Sequence, residues 1–202
     1  MKRKLAVVIG GSMAGCMAAR VLAGQFERVL VIERDVLPAG PELRKGAPQG
    51  AHTHALLLRG LQTMERLFPG LTADLTEAGA ILADATADFA WYQHGVFKGR
   101  WQSGRPPMIS MTRPLLEWKL RSRLEAVPNV AILPGTRVLS LITTADRSRV
   151  TGVRVEPVDE SAPAHEVAAD LVVDASGRGT RAPQWLEELG YPSVPMTEMK
   201  TD

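Results

Sequence analysis

The sequence predicts an α/β fold made of a buried parallel sheet, a three-stranded antiparallel meander and the start of a second, antiparallel sheet. Three patterns support this prediction. Residues 4–34 read as strand, glycine turn, helix and strand, residues 137–168 as three strands separated by turn residues, and residues 80–111 as short alternating apolar runs. With 202 residues, 45% of them hydrophobic, the chain can form one such domain and part of another.

Composition and charge narrow the class of protein. The net charge is +2 with both signs interspersed, so nucleic acid is not an expected partner. A single cysteine excludes an internal disulfide and fits a reducing compartment, which predicts a cytoplasmic location. No stretch is long and apolar enough for a membrane span. His52 and His54 do not have the spacing of a helical metal site, so no metal ion is predicted; a place near a ligand and a packing role both remain open.

The first 34 residues hold the unit on which the other predictions depend. Residues 5–9 form an unbroken apolar run, typical of a strand buried on both faces, and Gly10 begins the turn into a helix that ends near Gly24. Residues 28–32 form a second buried strand, which finishes at Glu33. The helix is predicted to pack on the sheet through Met17, Ala18, Val21 and Leu22.

The chemistry of this unit indicates a dinucleotide site. Gly10 permits a tight turn, Gly15 lets the helix pack closely on the sheet, and the free N–H groups at the helix start attract a pyrophosphate. Glu33 stands where a carboxylate can accept hydrogen bonds from both ribose hydroxyls of an adenosine. Ser12 replaces the middle glycine of the usual pattern, but serine is small and its hydroxyl can bind a phosphate. An ordinary βαβ unit is the alternative, and the position of the acid favours the dinucleotide.

A second interpretation of the same residues is a bacterial lipoprotein signal. Basic residues precede the apolar run, and Cys16 follows Met13, Ala14 and Gly15. However, an amphipathic helix and a strand follow Cys16 instead of a polar tether, and cleavage would remove half of the nucleotide-binding unit. We therefore favour the nucleotide-binding interpretation.

A long loop and two helices come next. The loop spans residues 34–51 and carries Arg44 and Lys45; loops of this length are usually functional or disordered. A solvated loop pair is the alternative to contact with a ligand; it is equally open for Lys45, whereas ligand contact is favoured for Arg44. Helices are predicted over residues 53–68 and 72–78.

Residues 80–111 follow a different pattern and are predicted to form antiparallel strands, with turns at 94–95 and 104–107. Tryptophans are concentrated in or just beyond this segment, and we expect their side chains in a core rather than in a substrate wall. A helix is predicted over residues 114–127, with Arg113 at its start.

The last part of the chain alternates strands and turns. Buried strands are predicted at 130–133 and 170–174, the meander at 137–143, 149–156 and 166–168, and a helix at 184–189. The strand that ends at Asp174 runs into a turn with Gly177 and Gly179. These can be plain turn glycines, but a glycine turn at the end of a buried strand is also where open α/β sheets bind ligands.

Taken together, the opening unit, the Arg44-Lys45-Gly46 loop and the turn from Asp174 to Gly177 resemble the FAD-dependent monooxygenases of the p-hydroxybenzoate hydroxylase fold. The resemblance is closest to the branch of bacterial epoxidases and hydroxylases, and it extends from residue 4 to about residue 192.

The resemblance implies the domain organisation. A Rossmann-like FAD-binding domain would comprise residues 1–78 and 112–190, and residues 79–111 would begin an antiparallel substrate-binding domain. Members of the family are about twice as long, so residues 191–202 would lead towards a second half. We expect that half to be missing from this chain or to be supplied by a partner chain.

The resemblance also implies which residues bind FAD. Gly10, Ser12 and Gly15 would surround the pyrophosphate, Glu33 would bind the adenosine ribose, and the backbone of Val138 would contact the adenine. The full implied set is Gly10, Gly11, Ser12, Met13, Ala14, Gly15, Glu33, Arg34, Arg44, Lys45, Arg113, Val138, Asp174, Ser176 and Gly177. Ser176 stands where hydroxylases of this fold usually have an aspartate, and Asp174 can supply a carboxylate two residues earlier. The alternative to a cofactor contact for Arg113 is that it merely precedes a helix.

The implied activity is a monooxygenase reaction. NAD(P)H, bound transiently, would reduce the flavin, and one atom of O2 would enter an aromatic ring or alkene of a small hydrophobic substrate. No catalytic residue is predicted. The alternatives are a flavin-dependent halogenase and a non-catalytic FAD-binding fragment. An NAD-dependent reductase is disfavoured because the meander at 137–168 replaces the second βαβ half of a full Rossmann domain.

Overall fold

The computed structural model describes residues 3–104 and 108–199 and divides them into two compact units. The first unit contains the residues up to Arg34 and those from Asn129 onward, and the second is Asp35–Pro128. In chain order the strands are β1 (Arg3–Ile9), β2 (Phe26–Ile32), β3 (Thr53–Leu56), β4 (Ile81–Ala83), β5 (Tyr92–Gln93), β6 (Val96–Phe97), β7 (Met108–Thr112), β8 (Val130–Leu133), β9 (Thr136–Thr143), β10 (Val150–Pro157), β11 (His165–Ala168) and β12 (Leu171–Asp174). The helices are α1 (Met13–Leu22), α2 (Leu58–Leu67), α3 (Leu71–Glu77), α4 (Arg113–Glu125) and α5 (Ala182–Glu188), with 3-10 turns at Pro48–Ala51 and Gly177–Gly179.

The first unit contains the predicted parallel sheet, with strand order β12-β1-β2-β8. Ile9 is level with Asp174 on one side and with Ile32 on the other, and Ile32 is level with Leu133. The carboxyl ends of all these strands therefore meet at one edge of the sheet. This is the edge at which open parallel sheets bind ligands.

Helix α1 packs on this sheet through small side chains, and the stripe predicted from the sequence is wrong at Val21. Gly15, Cys16 and Ala19 are buried, whereas Val21 is 53% exposed. The predicted stripe favoured the larger apolar residues. Small residues on the buried face let the helix backbone approach the strands more closely.

The three-stranded meander is confirmed, with strand order β11-β10-β9 and antiparallel pairing throughout. Val153 and Val155 of β10 share a buried cluster with Val7 of the parallel sheet and Trp185 of α5. The Trp185 indole Nε1 donates to the Leu139 carbonyl oxygen at 3.0 Å, so the buried indole has its polar atom satisfied.

The second unit has an antiparallel sheet with strand order β3-β7-β4, packed with α2, α3 and α4. Its buried side chains include Leu71, Leu75, Ile109, Leu120 and Leu124. No helix in residues 3–104 or 108–199 has the length and apolar character needed to cross a membrane.

The helix predicted over residues 53–68 is too long at its start. Residues Thr53–Leu56 form β3, which pairs with β7, and α2 begins only at Leu58. Because β7 offers hydrogen-bonding groups along that edge, strand pairing overrides the local helical pattern. The predicted turn at 104–107 falls largely outside the described residues.

The tryptophan-rich segment is antiparallel as predicted, but its assignment to a core is wrong. Strands β5 and β6 pair with each other in a separate two-stranded ribbon. Trp91 is 52% exposed and Trp101 is 61% exposed. The predicted turn between the strands is confirmed, since His94 and Gly95 both have positive φ angles, of 53° and 84°.

Candidate functional site

The turn between β1 and α1 has no room for side chains. Gly10 has a φ of 101°, and a Cβ there would lie 2.7 Å from the Ala175 carbonyl oxygen. A Cβ at Gly15 would lie 1.8 Å from the Gly10 carbonyl oxygen. The Gly10 N–H donates to the Ile32 carbonyl oxygen at 2.8 Å. The turn is thus held against the ends of β2 and β12.

Glu33 is the buried acid of this site. Only 5% exposed, it accepts a 2.7 Å hydrogen bond at Oε2 from the Gly11 N–H. Its own N–H donates to the Leu133 carbonyl oxygen at 2.9 Å, which fixes the backbone from which the carboxylate extends. The carboxylate therefore lies directly beside the glycine turn, in one orientation.

The start of α1 completes this edge of the sheet. Ser12 is the residue that precedes the helix, Met13 and Ala14 form its first turn, and that turn contains no acidic residue. The Cys16 N–H donates to the Ser12 carbonyl oxygen at 2.9 Å. The N–H groups of the first helical turn lie at the positive end of the helix dipole, which favours an anion.

The turn after β12 is organised by Asp174. Its Oδ1 accepts from the Ser176 N–H at 2.9 Å and from the Ser176 hydroxyl at 2.5 Å, and its Oδ2 accepts from the Thr180 hydroxyl. Burial raises the pKa of Asp174, but these hydrogen bonds outweigh it, so the pKa lies below its ordinary value. Gly177 follows with a φ of 72° and open space where a Cβ would point. The Asp174 carboxylate therefore stabilises the conformation of the turn.

Two further predicted residues, Arg34 and Val138, belong to the first unit. Arg34 is exposed, and its guanidinium lies 3.5 Å from where a Cβ of Gly179 would be. Val138 lies on β9, the edge strand of the meander, level with Val155. The Gly135 carbonyl oxygen accepts from the Val158 N–H and therefore points towards β10. Backbone groups alternate in direction along a strand, so those of Val138, three residues later, point away from β10.

In the second unit, Arg44 is buried in an ion-pair network. Its side chain is 7% exposed, Nη1 lies 2.8 Å from Asp35 Oδ2, and Nε lies 3.1 Å from Glu117 Oε2. The other oxygen of Glu117 lies 3.1 Å from Arg113 Nη2. The interpretation of Arg44 as a solvated loop residue is therefore wrong, whereas Lys45 is exposed.

Asp35 and Glu117, which hold this network together, were not singled out in the sequence. Asp35 also accepts from the Gly46 N–H at 2.7 Å, so it fixes the loop backbone as well as the guanidinium. The sequence signal that could have identified Glu117 is its position four residues after Arg113 on a predicted helix, a spacing that favours an ion pair. Thr112 starts α4 by accepting from the Leu115 N–H at 3.3 Å.

The histidines form a local contact. His54 Nδ1 lies 2.7 Å from the His52 carbonyl oxygen, and His52 is exposed. Within the described ranges, no group of three or more His, Cys, Asp or Glu side chains is arranged to hold a metal ion.

The structure thus brings most of the predicted site residues together at one edge of the parallel sheet, and it pairs Arg44 with Arg113 through Glu117 in the second unit. In a comparison with protein families, the model for FAD dependent oxidoreductases matches residues 6–183. The chain belongs to the FAD dependent oxidoreductase family. The residues at this edge fit FAD, because a glycine turn with no room for side chains lies at a helix start beside a buried acid.

Protein Rv3254 of Mycobacterium tuberculosis is 40% identical to this chain over 196 residues. The match covers 92% of this chain and 40% of Protein Rv3254. Among solved structures, PqsL of Pseudomonas aeruginosa, a probable FAD-dependent monooxygenase, has a TM-score of 0.71 at 18% identity and covers 99% of this chain. The p-nitrophenol 4-monooxygenase PnpA of Pseudomonas putida has a TM-score of 0.68 at 20% identity and covers 92% of the chain. The fold is therefore that of FAD-binding monooxygenases.

This chain spans less than half the length of each of these relatives. It matches 48% of PqsL, 44% of PnpA and 40% of Protein Rv3254.

Proposed function

We propose that this chain binds FAD at the edge of its parallel sheet, as the nucleotide-binding part of a flavin monooxygenase. The adenosine ribose would lie on Glu33, and the pyrophosphate on Gly10, Gly11 and the start of α1. The observation that carries the proposal is the buried Glu33 carboxylate, fixed 2.7 Å from the Gly11 N–H. An acid held beside a glycine turn, at a helix start, is the arrangement that binds a dinucleotide.

The residues around this edge have distinct proposed roles. Ser12, Met13, Ala14 and Gly15 supply backbone at the pyrophosphate, and Arg34 offers an exposed cation next to the acid. The outward-directed backbone of Val138 is suited to hydrogen bonds with the edge of an adenine, because β9 lies at the edge of its sheet.

The second glycine turn would contribute mainly through its backbone. The Asp174 oxygens already accept hydrogen bonds from Ser176 and Thr180, so this carboxylate positions the turn. Gly177 leaves open space in front of that turn, which allows a ligand to approach closely. Arg44, Lys45 and Arg113 belong to the second unit, and their contacts with the cofactor stay predictions from the resemblance.

The proposed reaction is the oxidation of a small hydrophobic aromatic or alkene substrate with NAD(P)H and O2. When bound, FAD supplies the redox chemistry, and the protein supplies binding, orientation and exclusion of water. The proposal is supported by the family and by the names of proteins that share the fold, including a p-nitrophenol 4-monooxygenase. One structure of PqsL contains 2-aminobenzoylacetate, an aromatic molecule, which supports an aromatic substrate.

Halogenation is the second candidate. The myxobacterial chondrochloren halogenase CndH shares the fold, with a TM-score of 0.66 at 22% identity. The two reactions differ in a simple readout, because only a halogenase incorporates bromide or chloride into its product.

The test of the cofactor site is a titration of the purified chain with FAD, followed by flavin fluorescence and visible absorbance. We expect binding of one FAD, and we expect Glu33→Gln to raise the dissociation constant about tenfold, since a hydrogen bond to a charged group contributes about 1.5–3 kcal/mol. The amide oxygen of the glutamine can still accept from Gly11, so the fold should be kept.

The matched control is Glu27→Gln, a substitution at an exposed residue of β2. It should leave FAD binding unchanged. If the chain and its Glu33→Gln variant bind FAD with equal affinity, the nucleotide does not bind at Glu33. If the folded chain does not bind FAD at all, these residues alone do not form a site.

A further inference from the structure

Strand β9, which carries Val138, begins at the buried acid of the proposed site. The Thr136 N–H donates to the Glu33 carbonyl oxygen at 3.0 Å, and Thr136 is only 6% exposed. Val138 follows two residues later, about 7 Å further along an extended strand. The contact with Glu33 therefore fixes the first residue of β9 relative to the acid, but it does not fix the direction of the backbone at Val138.

The pairing of β9 with β10 shifts immediately after Val138. Val138 is level with Val155, whereas the next pair joins Ser140 to Arg154, so β9 holds one extra residue, Leu139, between the two pairs. An extra residue of this kind is a β-bulge, which bends the strand and increases its local twist. The bulge at Leu139 therefore decides how the backbone of Val138 is presented at the edge of the meander.

A buried tryptophan of α5 holds this bulge. Trp185 is 4% exposed, and its indole Nε1 donates to the carbonyl oxygen of Leu139 at 3.0 Å. The side chain of Val138 packs against the apolar cluster that contains the indole. An indole N–H can only donate, and a buried one needs an acceptor. The indole thus fixes both the backbone of the bulge and the side chain that precedes it.

Helix α5 is itself fixed to the second glycine turn. The Ala182 N–H donates to the Thr180 hydroxyl oxygen at 3.0 Å, and that hydroxyl donates to Asp174 at the end of β12. Strand β12 pairs with β1, the strand that leads into the first glycine turn. Trp185 is therefore held in one place relative to the edge of the parallel sheet.

We propose that Trp185 is a positioning residue for the adenine side of the nucleotide site. By holding the Leu139 bulge, the indole N–H directs the backbone N–H and C=O of Val138 outward, towards the edge of the base. Trp185 itself does not contact the nucleotide. The inference rests on the proposed function, because it starts from a nucleotide whose ribose lies on Glu33.

The inference predicts a selectivity for adenine that depends on the bulge. Adenine carries an amino donor beside a ring nitrogen that accepts, so one backbone C=O and one N–H can bond both groups. Hypoxanthine has an oxygen acceptor in place of the amino group and cannot bond a C=O there. The ratio of the affinities for ADP and inosine diphosphate therefore reports the direction of the Val138 backbone. A general loosening of the fold lowers both affinities together and leaves their ratio unchanged.

The test uses ADP and inosine diphosphate as competitors of FAD on the 202-residue chain, with flavin fluorescence as the readout. We expect the unsubstituted chain to prefer ADP. Trp185→Phe keeps an aromatic ring but removes the N–H. It should lower the affinity for ADP about three- to tenfold, the effect of one hydrogen bond, and change the affinity for inosine diphosphate little. Hydrogen exchange at residues 138–140 of the nucleotide-free chain should also become faster.

Val153→Ala is the matched control. Val153 is 0% exposed and lies in the same cluster, so its substitution loosens the packing and leaves the indole N–H in place. It should reduce stability and keep the affinity ratio of the unsubstituted chain. If Trp185→Phe does not fold, site-specific incorporation of benzothienylalanine at position 185 removes the N–H with almost no change of shape. The same loss of selectivity is expected there.

The outcomes separate this inference from the proposed function. If FAD and ADP bind and Glu33→Gln weakens both, but no substitution at position 185 changes the affinity ratio, the nucleotide site stands and the role of Trp185 is wrong. An equal change of the ratio in Val153→Ala would overturn that role as well, and so would equal affinities for the two diphosphates in the unsubstituted chain. A folded chain that binds neither FAD nor ADP overturns the proposed function, and this inference with it.

Discussion

Close contacts at single residues decide whether the glycine turn can form. A Cβ at Gly15 would lie 1.8 Å from the Gly10 carbonyl oxygen, whereas a Cβ at Gly99 would meet nothing within 4 Å. The first distance is far below van der Waals contact, so β1 and α1 would have to move apart. Gly15 is therefore required at its position for steric reasons.

We expect Gly15→Ala to lower the free energy of unfolding by about 1–3 kcal/mol, the usual cost of forcing extra atoms into a packed site. It should also weaken FAD binding, because the helix start moves away from the turn. Urea denaturation and FAD titration measure the two effects. Gly99→Ala is the control and should change neither; a Gly15→Ala variant as stable as the control would contradict the geometry of the turn.

The charges around Arg44 are a second case in which single residues matter. Arg44 connects Asp35 to Glu117, and these side chains are 7%, 15% and 8% exposed. Removing one partner from a buried ion pair leaves the others with an uncompensated charge. The Arg44 guanidinium joins the loop to α4, and Arg121 of α4 also donates to the Pro38 carbonyl oxygen of the loop.

We expect Arg44→Met to destabilise the chain by about 3 kcal/mol, within the range for broken buried pairs. Lys45→Met, at the exposed neighbouring residue, should change stability by less than about 0.5 kcal/mol. Thermal and urea unfolding of both variants provide the comparison. Similar stabilities of the two variants would mean that the network contributes little to the fold.

Helices α3 and α4 are joined by an ion pair whose contribution depends on pH. Arg123 Nε lies 2.7 Å from Asp74 Oδ2. The hydrogen bond from Arg123 holds the pKa of Asp74 below its ordinary value of 3.8. The folded chain thus binds the Asp74 proton less readily than the unfolded chain. The resulting stability is fully present above pH 3.8 and is lost as the pH falls through the lower, folded pKa.

We expect Asp74→Asn to reduce the free energy of unfolding at neutral pH by up to about 1 kcal/mol, as for other partly exposed pairs. The difference from the unsubstituted chain should shrink as the pH falls below 3.8. Urea denaturation over a pH series, down to the lowest pH at which the chain stays folded, measures this. Glu77→Gln on the same helix is the control, and a difference for Asp74→Asn that grows in acid would contradict the assignment.

At the scale of the whole molecule, the proposed FAD site lies in the first unit, at the carboxyl ends of the parallel strands. It spans 48% of PqsL and 40% of Protein Rv3254. A reaction that needs exclusion of water and a substrate pocket depends on more of the fold than this.

We expect the isolated chain with FAD to oxidise NADH or NADPH no faster than free FAD does. Absorbance of the reduced nicotinamide at a fixed FAD concentration measures the rate. Free FAD at the same concentration is the control. A rate more than about tenfold above free FAD would show that this chain alone is a competent reductase.

Features that depend on residues close together in the chain followed directly from the sequence. The strand, glycine turn, helix and strand up to Glu33 were recognisable because apolar periodicity and glycine spacing are local properties. The meander was recognisable for the same reason, since turn residues separate its strands. The family resemblance, and with it the cofactor, rested on these same local patterns.

Contacts between distant residues were decided only by the tertiary structure. The shape of the sheet decides which face of α1 is buried. Ala19 lies on the buried face, whereas Val21, which the sequence pattern placed there, is exposed. Residues 53–56 became a strand because β7 lies beside them. Arg44 meets Glu117 across 73 residues of sequence. A sequence pattern records the preference of each segment, but burial and pairing are set by the neighbours that the folded chain brings to it.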